Sequence, residues 1–316
     1  MSRHDRKMVG QTPAFRSRNW RSLFSGILAA VPRPENKSRV RYYSEALLDR
    51  ATVFKPLANF REGLAAPRER GAQLEAPDGL PLPPVGLRVR VVGTGDPAAF
   101  LRGSVRTADV IQSVLAEAGV DLTGAVLDFG CGCGRIARRW ASLGLDMHGC
   151  DYNEAAVRWC RENLPFMESR VNALEPPSPY EADRFDVIYA VSILTHLTER
   201  VAHAWMAEWA RILKPGGALL FTVHGDAYRH RLSKRARPRY DAGEMVVKGA
   251  RLEGLNACVA NHPYRYVTER LLAGYELLTF RPTPSAPFPQ DVYVARPAPH
   301  GTVTPRASDS RRASSA

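Results

Sequence analysis

A doubly wound α/β fold with a mostly parallel sheet is what this sequence predicts, and three observations carry the prediction. Between residues 125 and 223, compact apolar segments alternate with helical ones, the order in which a parallel sheet is covered on both faces. The first apolar segment runs straight into three alternating glycines, Gly130, Gly132 and Gly134. Two late strand-like segments, Glu276–Arg281 and Asp291–Ala295, lie close enough in sequence to pair antiparallel.

Residues 1–38 are basic, rich in Ser and Arg and without sustained periodicity, so a disordered basic tail is expected there. Residues 39–120 are read as an N-terminal helical cap and linker, with the Pro/Gly-rich stretch 71–86 as the linker proper. The alternation Leu87, Val89, Val91 predicts a short strand. Asp96 and Pro97 open a short helix, and a longer one covers Val105–Ala118, closed by Gly119. The main domain spans 121–296. Strands are expected at Ala125–Phe129, Met147–Cys150, near Arg170–Val171, at Phe185–Val191 and at Ala218–Val223. Helices are expected at Ile136–Leu143, Glu154–Leu164, Glu199–Leu213 and Val267–Ala273. The Pro/Ser/Arg-rich residues 297–316 read as a second disordered tail.

Composition removes several classes of protein. An apolar share of 45% and a charged share of 24% over 316 residues exclude global disorder, collagen-like repetition and a coiled-coil rod. No stretch reaches the roughly 18 apolar residues that a membrane-spanning helix needs. Leu23–Val31 is too short for such a helix, and its over-long charged lead and weak apolar core, with a Ser and a Gly, argue against a signal peptide. Five cysteines, an odd number with no disulfide-like spacing, point to a reducing compartment, and a cytoplasmic location is expected. The net charge of +12 sits on the flanks. Residues 1–70 hold 15 basic against 6 acidic residues, whereas residues 121–225 hold 10 against 13. A high isoelectric point is therefore a poor argument for nucleic acid.

The strongest chemical signal is Asp128-Phe129-Gly130-Cys131-Gly132-Cys133-Gly134, placed between a strand and a helix. Alternating glycines let a ligand approach bare backbone, and the N–H groups of a following helix attract an anion. No Gly-Lys-Ser/Thr follows, which excludes a phosphate-binding P-loop. A dinucleotide fingerprint would place its third glycine at position 135, where the chain has Arg135. Asp151 closes the second strand, and an acidic side chain there can accept from both ribose hydroxyls of a nucleoside.

Together with Phe185-Asp186-Val187-Ile188-Tyr189-Ala190-Val191-Ser192-Ile193-Leu194-Thr195-His196-Leu197 and Leu213-Lys214-Pro215-Gly216-Gly217, in that order, these residues resemble the motifs of class I S-adenosylmethionine-dependent methyltransferases. The resemblance covers roughly residues 93–296. It implies a Rossmann-like sheet of seven strands, six parallel and the last antiparallel, with S-adenosyl-L-methionine as cofactor. It further implies cofactor contacts at Asp128, Gly130, Cys131, Gly132, Gly134, Asp151, Tyr152, Asn172, Ala173 and Val191, with Asp128 receiving the cofactor's ammonium group. Asn172 stands where many relatives carry an Asp beside the adenine amine, and its carbonyl can play the same part. A nicotinamide-dependent oxidoreductase is the competing reading, since Asp151 suits either nucleoside.

His196 and His224 fall at strand ends on the ligand side of such a sheet. Either is a candidate base for deprotonating an acceptor. Cys131 and Cys133 have no second pair at zinc-site spacing, so no metal is expected. The acceptor is expected to be a small molecule or a glycan. Six basic residues, Arg229, Arg231, Lys234, Arg235, Arg237 and Arg239, follow the fifth strand. They suit an anionic acceptor or peripheral contact with an anionic membrane surface. Only Tyr228 and Tyr240 offer stacking near them, which argues against nucleic acid.

Overall fold

In the computed structural model of the chain, residues 76–283 and 289–299 are described. The predicted 1–38 tail, residues 39–75 of the cap and residues 300–316 of the second tail lie outside them.

The described chain opens with helix α1 (Val85–Val92), which ends at Gly93 in the left-handed region. A strand was expected here. Leu87 and Val91 are one helical turn apart, so the same residues satisfy either period. The intervening Arg88 decides the matter: it is buried and donates to the carbonyls of Gly95 (2.9 Å) and Pro83 (2.6 Å), where a strand would have turned it to solvent. Helix α2 (Pro97–Glu117) is one element rather than two. Asp96 caps it by accepting from the Ala98 and Ala99 N–H groups, and Gly103 is accommodated inside it. α2 is a layer of the domain. Its Phe100, Ile111 and Val114 are buried in one cluster with Val126, Val187 and Tyr189 of the sheet, so the expected boundary at residue 120 separates nothing structurally.

The sheet strands are β1 (Ala125–Phe129), β2 (Asp146–Asp151), β3 (Met167–Val171), β4 (Phe185–Ala190) and β5 (Leu213–Val223). Helix α3 (Glu154–Asn163) links β2 to β3, and helix α4 (Glu199–Ile212) links β4 to β5. The helix expected at 136–143 is reduced to a 3₁₀ turn at Ala137–Trp140. After β5 comes an insertion that holds a short helix, α5 (Arg237–Asp241), and a hairpin, β6 (Val246–Lys248) with β7 (Val259–Asn261). No periodic pattern in the sequence marks this hairpin. Strands β8 (Tyr275–Arg281) and β9 (Asp291–Pro297) complete a seven-stranded sheet of order β3-β2-β1-β4-β5-β9-β8. β9 is antiparallel to both of its neighbours and the other pairings are parallel, so the predicted six-plus-one arrangement holds.

Alternation along the strands makes two cores. Leu127 and Phe129 face the α4 side, where Phe129 meets Trp205 and Trp209 edge-on at 4.6 and 5.0 Å. Val126 and Asp128 turn to the α2 side. Burial of this kind places large-to-small changes at roughly 3–5 kcal/mol for a Trp. Among the described residues no helix is long and apolar enough to cross a membrane.

Candidate active site

The carboxyl ends of the parallel strands, where the strand order reverses between β1 and β4, border an open cleft of about 440 Å³. Its wall includes Gly130, Asp151, Tyr152, Asn172, Ala173, Ser192, Ile193 and His196. Six of the twelve expected site residues therefore come together there: Gly130, Asp151, Tyr152, Asn172, Ala173 and His196. Asp128, Cys131, Gly132, Gly134, Val191 and His224 do not line it.

Each departure has a physical reason. Asp128 lies on the α2 face of β1, opposite to Phe129, and is buried beside Tyr189, away from the pocket. Burial raises its carboxyl to about 7, against the pull of the Tyr189 hydroxyl and the Arg135 guanidinium, and its Oδ2 has no partner. The glycines are explained by the protein's own packing. All three have positive φ, at 76°, 54° and 68°. A Cβ on Gly130 would run into Ile193, and one on Gly134 into Leu164. One on Gly132 would sit 2.9 Å from Val91 of α1. The chain itself covers the turn at Gly132, where a bound ligand was expected. Cys131 and Cys133 are buried small residues of that turn. Among the described residues no three His, Cys, Asp or Glu side chains gather as metal ligands would.

Asp151 braces the same turn. Its Oδ2 accepts from the Gly132 N–H at 2.9 Å and its Oδ1 from the Asn153 N–H at 2.8 Å. Burial nonetheless raises its carboxyl above the usual range, with those two amides and Arg90 opposing the rise. Each oxygen keeps a further lone pair for a ligand hydroxyl. Asn172 donates from Nδ2 to the Ala173 carbonyl at 2.7 Å, which leaves its Oδ1 buried and without a donor. A nucleoside fits this wall: a ribose diol for Asp151, an exocyclic amine for Asn172, and Phe129, Leu174 and Ile193 for a flat base.

The same pocket is lined by His196, which donates from Nδ1 to the Cys258 carbonyl at 2.8 Å. That bond leaves the Nε2 lone pair as the basic site. Burial lowers the pKa of His196, the Cys258 bond only partly offsetting it, so the ring is neutral at neutral pH. His224 is stacked on Tyr228 at 4.2 Å, and its Nδ1 is buried without a partner. Burial, then the nearby His196, push its pKa down to about 4. Next to it His262 is fully buried with both ring nitrogens unpartnered, and burial takes it to about 3.

The insertion closes over His196. The Gly254 N–H donates to the His196 carbonyl at 2.8 Å, and the Tyr152 hydroxyl donates to the Gly254 carbonyl at 2.9 Å. Arg90 of α1 completes the bracket with a 3.2 Å bond to that hydroxyl. Glu253 accepts from the N–H and the hydroxyl of Thr198, the residue before α4. Sequence reasoning missed Gly254 and Cys258, whose contributions are backbone atoms of an irregular loop, and Glu253, whose carboxylate finds Thr198 only across 55 positions. The basic run is largely spent on the protein itself. Arg229 forms a two-pronged pair with Asp241, Arg239 pairs with Glu244, Arg237 donates to the Leu232 and His230 carbonyls, and Arg231 lies over the Tyr228 ring at 4.5 Å. Lys234 and Arg235 are exposed and make no ion pair among the described residues.

Comparison with known proteins bears on the segment that forms this pocket. Residues 126–217 match the family model described as "Methyltransferase domain". A ubiquinone biosynthesis O-methyltransferase of Alkalilimnicola ehrlichii is 30% identical over 102 residues, which is 31% of this chain and 40% of that protein. A tRNA N(3)-cytidine methyltransferase of Gallus gallus is 25% identical over 111 residues, 32% of this chain and 30% of that one. The chain thus spans well under half the length of these curated relatives. A solved methyltransferase of Methanosarcina mazei is 21% identical with a TM-score of 0.44, covering 60% of this chain and 97% of its own. The nicotinamide-dependent alternative finds no support among them.

Proposed function

We propose, residues 126–217 being a class I S-adenosylmethionine-dependent methyltransferase domain, that the chain transfers a methyl group to a small-molecule or glycan acceptor and that His196 is the base. The observation that carries this reading is one pocket lined by Asp151, by Asn172 with its unpartnered carbonyl oxygen, and by a neutral histidine of fixed tautomer. When bound, the cofactor supplies a sulfonium methyl already activated for displacement. Asp151 holds the ribose hydroxyls and Asn172 an amine. Ile193, Leu197 and Gly254 exclude water from the gap. His196 Nε2 would take the proton from the acceptor's oxygen or nitrogen as that atom bonds to the methyl carbon and the carbon–sulfur bond breaks, so that the acceptor would gain the methyl group, the histidine the proton, and S-adenosylhomocysteine would leave as a neutral thioether.

The named relatives include one that methylates oxygen and one that methylates cytidine nitrogen, so motif likeness does not select the acceptor atom. An anionic acceptor, or an anionic membrane surface, would meet Lys234 and Arg235. Five free, buried thiols suit a reducing, cytoplasmic setting. Calorimetric titration with S-adenosylmethionine and with NADH tests the core of the proposal: binding of the first alone is expected, and binding of NADH alone would overturn it. Transfer of labelled methyl to acceptor fractions of a cell extract, read by mass spectrometry, then identifies the acceptor.

A further inference from the structure

The turn that carries His196 is held from behind by a hydrogen-bond loop that plays no part in the reading above. Ser192 lines the pocket with φ of 62°, and among the described residues only Asp183 shares that departure for a non-glycine. Such a backbone persists where its surroundings over-determine it. Here they do. The Ser192 N–H donates to Thr222 Oγ1 at 2.8 Å, and Thr222 Oγ1 donates to Gln290 Oε1 at 2.6 Å. The Ser192 hydroxyl donates to the same Gln290 oxygen at 3.0 Å. Thr222 is fully buried in β5 and Gln290 is buried just before β9. The Ser192 carbonyl in turn accepts from the Thr195 hydroxyl at 2.9 Å, one residue before His196.

We infer that Thr222 and Gln290 are positioning residues, whose hydrogen-bond loop with Ser192 fixes the strained 192–196 turn and thereby the placement of His196 in the pocket. Neither side chain lines the pocket, so neither acts on a ligand directly. Three strand ends, β4, β5 and β9, meet at this loop, which is why a residue 98 positions away in sequence can set the geometry of Ser192. Buried loops of this kind, with every hydroxyl donating and the amide oxygen accepting twice, rigidify more than their separate bonds suggest. The catalytic consequence rests on His196 being the base proposed above. The positional claim does not.

The test uses the full chain with labelled histidine rings, the His196 signal being assigned by its loss in His196→Gln. Thr222→Val keeps the shape of a β-branched strand residue and removes the hydroxyl; Gln290→Met keeps length and removes the acceptor; Thr222→Ser restores the hydroxyl. Each variant is first checked by thermal melting. In Thr222→Val and Gln290→Met the His196 titration midpoint should move up toward the ordinary histidine value of about 6.5, because a released turn lets water reach the ring. Affinity for S-adenosylhomocysteine should fall by roughly 3–10-fold, since Ser192 and Ile193 shift with the turn. Thr222→Ser should titrate like the parent. A purely structural role would lower the melting temperature and leave the native-state midpoint in place, which would overturn the inference. If Thr222→Val does not fold, Ser192→Gly removes a donor while tolerating the positive φ, and the same upward movement is expected. A parent protein that binds no S-adenosylhomocysteine, yet shows the movement, would overturn the proposed function and leave this inference standing.

Discussion

The turn after β1 and the insertion after β5 both border the pocket, yet they are built in opposite ways. The first is a run of close neighbours: Gly130, Gly132 and Gly134 in left-handed backbone, braced by Asp151 from the adjacent strand. The second reaches across the fold, with the Cys258 carbonyl holding a histidine 62 positions away and Gly254 accepting from Tyr152 over 102. Local backbone geometry shapes the part of the pocket proposed for the nucleoside. Long-range hydrogen bonds hold His196, the proposed base. The first arrangement tolerates almost no change in residue size, and the second should tolerate change in shape while losing chemistry.

The largest effect should come from Gly130→Val. It puts a β-branched residue at φ of 76° and drives its Cβ into Ile193, so loss of detectable S-adenosylmethionine binding together with a large drop in melting temperature is expected. A variant that melts and binds like the parent would show that the turn is not set by packing. His196→Ala should come next. Turnover falls by roughly 10²–10⁴-fold with cofactor affinity retained, a split between the two regions that kcat and calorimetry read separately. Loss of both together would mean that the two regions are not independent. Asp151→Ala should weaken S-adenosylmethionine binding by about 1.5–3 kcal/mol, measured by calorimetry, from lost charge-assisted bonds to the ribose. It should also lower the melting temperature, because the Gly132 and Asn153 amides lose their acceptor.

pH separates the two regions by sign. His224 and His262 have pKa values lowered to about 4 and about 3 by burial, so the unfolded chain binds protons that the native one refuses. Their contribution to stability is present above the unfolded histidine value of about 6.5 and is lost as pH falls toward those lower values. Asp128, raised to about 7, has the opposite sign: its native form holds a proton that the unfolded chain releases near pH 4, so its stability contribution is full below about 4 and is lost as pH rises to about 7. The rise of melting temperature with pH between about 4 and 6.5 should therefore flatten in His262→Phe and steepen in Asp128→Asn, which removes the opposing fall. Unchanged slopes in both variants would mean that neither group titrates as its burial demands. The smallest effect is reserved for the surface. Replacing Lys234 and Arg235 by Ala should leave the melting temperature within about 1–2 °C and change only the salt dependence of acceptor use or of binding to anionic vesicles.

The alternation of strands and helices, the glycine turn and the terminal antiparallel pair were legible in the sequence because each is a local pattern with its own period. Asp151 was legible because it closes a strand whose end faces the ligand edge, and Asn172 because the motif resemblance points to it. Leu87–Val91 misled because a two-residue and a helical period share those positions, and the buried Arg88 that decides between them finds its partners only in the folded chain. The contact of Val91 with the turn at Gly132 was hidden in a related way, since nothing in the motif tells that α1 packs there. What the sequence by itself determined is the order and type of the core elements and the residues that local backbone geometry delivers to the strand ends. Only the tertiary structure decided that His196 enters the pocket and His224 does not, that Arg229 and Arg239 of the basic run are paired with Asp241 and Glu244, and that Gln290 reaches Ser192. Those outcomes depend on which distant groups desolvate one another, and a hydrogen bond across 98 positions has no period to read.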